Sequence, residues 1–168
     1  MDFKVRHLEN KDIPEYLHLT KYIDNETEFL SVDPKDPRPK FMEMVGAVAQ
    51  KNQLFLVAQH KDGYLVGHLG AFWRRGKGKR VRHCIHIGLG VVKDYWGKGV
   101  GTLMFKAMEK WAKEQGVTRL ELDVMTNNER GVALYKKMGF EIEGTKRQSI
   151  CIDGQYIDEY MMSKILED

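Results

Sequence analysis

Three glycines at every second position, Gly97, Gly99 and Gly101, stand between a strand-like segment and a helical one. The segment that enters them covers residues 85–92. The segment that leaves them carries Leu103, Met104, Ala107, Met108, Trp111 and Ala112 at helical spacing and stops at Gly116. Glycine lets backbone N–H groups approach a ligand closely, because no Cβ stands in the way. The first N–H groups of a helix lack internal partners and carry the positive end of its dipole. A strand, a glycine turn and a helix therefore make a seat for phosphate.

Two common phosphate loops do not fit. A nucleotide-triphosphate loop needs a glycine five residues before the Gly97-Lys98 pair, and position 92 is valine. It also needs Ser or Thr after the lysine, where Gly99 stands. A dinucleotide fingerprint would require Gly or Ala at Thr102, and it normally follows the first strand of its fold, whereas here much of the chain comes first.

The stretch resembles motif A of the GNAT (GCN5-related N-acetyltransferase) superfamily, R/Q-x-x-G-x-G/A, with Gly99 and Gly101 at the two small positions. Trp96 stands where Arg or Gln is usual. The second signature of that family, N-x-x-A-x-x-L-Y-x-K-x-G-F, is matched from Asn128 to Phe140, with Gly131 in place of the alanine. The C-terminal stretch also looks like that of bacterial relatives of the ribosomal-protein acetyltransferases.

The resemblance implies an α/β (α+β) GNAT fold, a mixed sheet of about seven strands with helices on both faces. It implies acetyl-CoA as cosubstrate and direct transfer of acetyl to a primary amine in a ternary complex. Leu89, Val91 and Val92 would pair with the pantetheine arm, and a freed N–H near Val91 or Val92 would face the thioester oxygen. Trp96, Gly97, Lys98, Gly99, Val100, Gly101 and Thr102 would hold the pyrophosphate. Tyr135 matches the tyrosine that protonates the coenzyme thiolate, Asn128 a coenzyme contact, and Lys137 a lysine near the phosphates. Read from the residues alone, Tyr135 is a core aromatic on the stripe of Val132 and Met138, Asn128 a helix N-cap and Lys137 a solvated lysine.

Composition sets the bounds. The chain has 168 residues, enough for one domain over 1–168 with a sizeable core. No apolar run approaches the ~20 residues that cross a membrane, and the N-terminus lacks a signal-peptide pattern. Cys84 and Cys151 both fall in strand-like segments and read as buried thiols in a reducing, cytoplasmic setting. A net charge of +3 is mild and gives no strong case for nucleic acid.

The rest of the chain falls into alternating patterns. Strands are expected over 3–8, 54–59, 64–73, 81–92 and 118–125, and a final hairpin over 140–151 and 152–165. Helices are expected over 12–24, 40–51 and 128–138, the last with a capping box from Thr126 to Glu129. The stretch between the first two helices holds three of the four prolines and reads as a loop on the substrate side.

Acetyl transfer also needs a base. His86 lies on the strand entering the glycine turn, on one face with Cys84, Gly88 and Gly90, and titrates near neutrality. Glu28 and Phe29, in the proline loop, are substrate-binding candidates. His83, Cys84 and His86 do not make a metal site, since alternation sends His83 to the other face. Residues 74–82 carry six cations in nine positions, a solvated hairpin tip or a grip for an acidic substrate, RNA or coenzyme phosphates. The expected partner is an amine, small or on a protein or peptide; a homodimer stays open. The competing readings are a non-catalytic acyl-CoA-binding protein and an RNA-binding protein using 74–82.

Overall fold

The computed structural model describes residues 2–50 and 53–167. Seven strands form one sheet: β1 (Phe3–His7), β2 (Leu54–His60), β3 (Leu65–Phe72), β4 (Cys84–Val91), β5 (Arg119–Met125), β6 (Glu141–Ile152) and β7 (Gln155–Ile165). Their order is β1-β2-β3-β4-β5-β7-β6. All the pairings are antiparallel except β4 with β5, which is parallel and so needs a crossover helix. That helix is α3 (Val100–Glu114). The others are α1 (Ile13–Glu26), α2 (Phe41–Ala49) and α4 (Glu129–Lys137).

The alternation read from the sequence decides which face goes where. Ile85 and Ile87 of β4 and Leu120, Leu122 and Val124 of β5 pack with Met104, Phe105, Met108 and Ala112 of α3 in the main core. Each large side chain so buried contributes about 1.5–3 kcal/mol. The opposite face is covered on its β1–β4 half by a second cluster, in which Ile13, Leu19 and Ile23 of α1 and Met44 of α2 meet Val57. Helices thus lie on both faces.

On the β5–β7 half that second face is polar. Arg119 pairs with Glu121 at 2.7 Å and with Glu143 at 2.5 Å, and the Ser163 hydroxyl donates to Glu143 at 2.5 Å. Arg119 and Ser163 hold the Glu143 carboxyl down to about 2.

Some expected boundaries move. The first helix runs two residues past Asp24, to Glu26. The expected second helix ends at Ala49, and Lys51 lies outside the described residues. The strand expected from Val81 begins at Cys84, because Val81 and Arg82 both donate to the Gly78 carbonyl and close a turn first. The cap of α4 is Asn128 rather than Thr126: its side chain accepts from the Gly131 N–H at 3.0 Å. Cys84 is a buried thiol, but Cys151 is exposed, since β6 ends the sheet and its outer residues face solvent. No described helix is long and apolar enough to cross a membrane.

Candidate active site

The centre of the molecule is a split in its sheet. Strands β4 and β5 pair over only three positions, Cys84 with Arg119, Ile85 with Leu120 and His86 with Glu121. Beyond His86 they part. The parity of the ladder says which groups this exposes. The Val92 N–H donates to the Val66 carbonyl at 2.9 Å, so even-numbered residues of this strand bond toward β3. The Arg119 N–H donates to the His83 carbonyl at 3.0 Å, so odd-numbered residues bond toward β5. Leu89 and Val91 therefore turn their backbone N–H groups into the gap. Val92 does not, which corrects the expectation of a free N–H there.

A cavity of about 700 Å³ fills the split and passes from one face of the sheet to the other. At the end nearest α3 its wall is the glycine turn. Gly99, with φ of +84°, is the residue before α3, and a side chain there would meet open space. Its left-handed backbone, not crowding, is why glycine stands there. Gly101 is small for another reason: a Cβ on it would come within 3.0 Å of Leu134 on α4. The first helical bond runs from the Leu103 N–H to the Gly99 carbonyl, at 3.0 Å, which leaves the N–H groups of Val100, Gly101 and Thr102 outside the helix ladder. Unpaired N–H groups at a helix start, beside a glycine with nothing over it, suit a pyrophosphate. Trp96 closes the turn by donating its indole N–H to the Val91 carbonyl at 2.7 Å.

Asn128, Tyr135 and Lys137 bring α4 to the same wall. The Tyr135 ring packs edge-on to Phe105, with centroids 5.7 Å apart, and lies 6.2 Å from Phe140. Burial pushes its phenol up to about 12, so it is protonated at any physiological pH. Tyr135 is thus both a member of the aromatic core and part of the cavity wall.

The other end of the cavity is lined by His86, Phe72, Arg74, Asp123, Lys146 and Glu159, with Phe29, Leu30 and Ser31 from the loop after α1. His86 stands at the last position of β4 that pairs with β5, its ring 5.4 Å from that of Phe72. Burial lowers its pKa, and the nearby Asp123 carboxylate only partly offsets this. The imidazole is therefore neutral near pH 7. One oxygen of Asp123 accepts from both Arg74, at 3.0 Å, and Lys146, at 2.8 Å. Burial would raise the Asp123 carboxyl, but Lys146 and Arg74 together outweigh it and hold it below the ordinary range. The loop is tied down from behind by an ion pair between Arg38 and the buried Asp24.

Three candidates fall outside this wall. Val92 packs with the second cluster, Glu28 is passed over between Thr27 and Phe29, which both line the cavity, and the Lys98 ammonium lies 5.0 Å from the Tyr95 ring centre. The basic run also divides. Arg74 reaches the cavity, Lys77 lies over Trp73, and Arg75 reaches the Cys84 sulfur at 3.6 Å. The run leads into the start of β4, roughly 23 Å along the strand from Val91, where the chain leaves for the glycine turn. It is too far from that turn to hold phosphates bound there. Sequence reasoning missed Arg74 as a single residue, Asp123, Lys146, Glu159 and Arg130. Only the alternation of β5 could have pointed to Asp123, which shares a face with Glu121. Among the described residues no three His, Cys, Asp or Glu side chains gather as metal ligands.

Comparison with known proteins matches these features to one family. The sequence model of the acetyltransferase (GNAT) family matches residues 17–140. The chain is 26% identical over 174 residues to the L-amino acid N-acetyltransferase AaaT of Escherichia coli (strain K12), covering 96% of each chain. It is 32% identical over 108 residues to the N-alpha-acetyltransferase RimI of Mycobacterium tuberculosis, covering 64% of each. Among solved structures, an acetyltransferase of the GNAT family from Streptococcus pneumoniae superposes with a TM-score of 0.91 at 32% identity, covering 98% of this chain and 99% of that one. The yncA protein of Salmonella typhimurium, solved with its cofactor acetyl-CoA, has a TM-score of 0.86 at 15% identity, over 100% of this chain and 96% of that one.

Proposed function

The chain belongs to the acetyltransferase (GNAT) family and is an N-acetyltransferase, and on that premise we propose that it moves an acetyl group directly from acetyl-CoA to a primary amine. The observation that carries this reading is the cavity through the split sheet, with phosphate-seating N–H groups at one end and a neutral histidine toward the other. Acetyl-CoA, when bound, supplies the acetyl group as an activated thioester. The chain supplies everything else, as one domain at work in the cytoplasm.

The turn from Gly97 to Thr102 holds the pyrophosphate through backbone N–H groups. The edge of β4 at Leu89 and Val91 takes the pantetheine arm as an added strand. One of those N–H groups also stabilises the oxyanion, and its fixed position means that no reorganisation is needed as charge develops. The amine attacks in its neutral form, and His86 accepts its N–H proton, directly or through water, as the N–C bond forms and makes that proton far more acidic than in the free ammonium. Tyr135 faces the departing sulfur. A phenol near 12 does not hand its proton fully to a thiolate whose acid has a pKa of ~8.5. Its part is a hydrogen bond to the sulfur, with the proton lost by the amine returning to the thiolate as the C–S bond breaks.

The acceptor is a small amine or a peptide amine. The cavity's Arg74, Asp123 and Lys146 favour one that carries its own charged groups, and relatives named for amino-acid and N-alpha acetylation are consistent with both classes.

Titration calorimetry with acetyl-CoA, followed by a screen of L-amino acids and short peptides for release of free coenzyme A, tests this reading. We expect saturable binding that is lost in Gly99→Val, and turnover with at least one amine. Binding that survives Gly99→Val in a folded protein would displace the site. Tight binding without turnover on any amine would favour a non-catalytic acyl-CoA-binding protein.

A further inference from the structure

The glycine turn lacks the side-chain cation or amide that the family pattern places at its first position, because that position is Trp96. The indole N–H is already committed to the Val91 carbonyl, so Trp96 offers the turn no free donor. What it offers is a flat face, and the guanidinium of Arg130 lies over that face, 5.1 Å from the ring centre. The same guanidinium stands over the turn itself: a Cβ built on Gly97 would lie 3.5 Å from Arg130 Nη2. Arg130, Trp96, Gly97 and Gly99 line one wall of one cavity.

Two features of Arg130 set it apart from a solvated surface arginine. It forms no ion pair and donates no hydrogen bond among the described residues. It is also the second residue of α4, where the helix dipole disfavours a cation. A guanidinium that is held by stacking, with its donors free and an unfavourable field behind it, gains most from an anion within reach of those donors.

We propose that Arg130, held on the Trp96 ring, caps the pyrophosphate of acetyl-CoA and so supplies from α4 the charge that the turn does not carry. The inference rests on acetyl-CoA occupying this cavity. It makes Arg130 and Trp96 a unit: the tryptophan positions the cation, and the cation binds. Arginine suits the task because its planar fork stacks on the indole while still presenting N–H groups to two phosphate oxygens.

The test is acetyl-CoA affinity and turnover in Arg130→Gln, Trp96→Arg and the double variant, with Gly99→Val as a control. A hydrogen bond to a charged group is worth about tenfold to a hundredfold in affinity, so Arg130→Gln should weaken acetyl-CoA binding by that factor. KM for acetyl-CoA should rise with it while kcat stays nearly constant, because the contact is made equally before and during reaction. Adding Trp96→Arg to Arg130→Gln should recover most of the loss, since it returns a guanidinium to the turn. Acetyl-dephospho-CoA, which keeps the pyrophosphate and lacks the 3′-phosphate, should show the same loss in Arg130→Gln. Acetyl-pantetheine, which has neither, should show none. An unchanged acetyl-CoA affinity in Arg130→Gln, with Gly99→Val still abolishing binding, would overturn the role of Arg130 and leave the site intact. A loss confined to ligands bearing the 3′-phosphate would overturn the pyrophosphate assignment. If acetyl-CoA fails to bind the unaltered protein, the functional reading itself falls.

Discussion

The imidazole of His68 on β3 fills the space that a side chain on Gly90 of β4 would occupy. A Cβ at Gly90 would come within 2.5 Å of His68 Nε2 and within 3.3 Å of two ring carbons. The two residues are register partners, and the ring also lies edge-on to Tyr16 of α1, with centroids 5.7 Å apart. The strand that borders the reaction gap is thereby packed against the first helix through a histidine lodged over a glycine.

Gly90→Ala should therefore destabilise the protein by about 1–3 kcal/mol, the usual cost of overpacking a filled core. In a His68→Ala background the same change should cost much less, because the obstructing ring is gone. Urea unfolding of the four proteins in this cycle measures the coupling. Additive effects would mean that the backbone moves apart easily and that the contact places no constraint on β4.

His68 also makes a pH prediction. Burial pushes its pKa down to about 4, and its Nε2 has no hydrogen-bond partner among the described residues. A histidine with a folded pKa below its unfolded value binds a proton more readily when unfolded. Its contribution is complete above the ordinary value of ~6.5 and is lost as pH falls toward 4. The loss amounts to roughly 3 kcal/mol at its limit. His68→Gln should flatten the stability profile between pH 6.5 and 4. The Glu143 carboxyl, held near 2, acts in a lower window, as pH falls from its ordinary value, so the two effects separate. An unchanged profile in His68→Gln would assign the acid loss elsewhere.

The legible and illegible parts of this site differ in physical kind. The turn was legible because a left-handed residue before a helix demands glycine at Gly99, and close packing of α3 on α4 demands a small residue at Gly101. The order of elements followed from periodicity, which burial imposes on Ile85, Ile87, Leu120 and Leu122 alike. The parting of β4 from β5 leaves no such trace, since a strand edge facing a gap keeps the same side-chain alternation as a paired one. Polar pairings across strands were hidden for a related reason. Asp123 meets Lys146 and Arg74 only through register, and the sequence separations of 23 and 49 residues carry no local signal. Arg130 was masked because a lone cation in a helix looks the same whether it faces solvent or an indole.

Tyr135→Phe keeps the ring against Phe105 and Phe140 and removes only the hydroxyl. The phenol near 12 acts as a hydrogen-bond donor rather than a complete acid, so the loss in turnover should be about tenfold to a hundredfold, the worth of one bond to a charged group. Stability should change little. Rapid-quench measurement of the chemical step separates this from slow product release. A chemical step that runs at the same rate in Tyr135→Phe would leave Tyr135 a core aromatic only.

The role of His86 makes the last and most exacting prediction. An amine with a lysine-like pKa of ~10.4 is almost wholly protonated at pH 7, so the rate should rise with pH as the neutral form appears or as a base becomes free to take its proton. His86 is the last residue of β4 to pair with β5, beside the gap, and burial holds its pKa below the ordinary ~6.5. If it is the base, kcat should fall as pH drops through that lowered value, and the inflection should lie below 6.5 rather than at it. The sign follows from the role, since the protonated imidazole cannot accept. Asp123 opposes the shift, so Asp123→Asn should move the inflection lower still. Arg74 and Lys146, which lose their shared carboxylate in that variant, would push it in the same direction. His86→Gln retains polarity but cannot titrate. It should lower kcat by about 10²–10⁴-fold and erase the acid inflection while leaving acetyl-CoA affinity unchanged. If the inflection persists in His86→Gln, it belongs to another group. Proton removal would then run through a water chain along the Asp123 side of the cavity, with no single base.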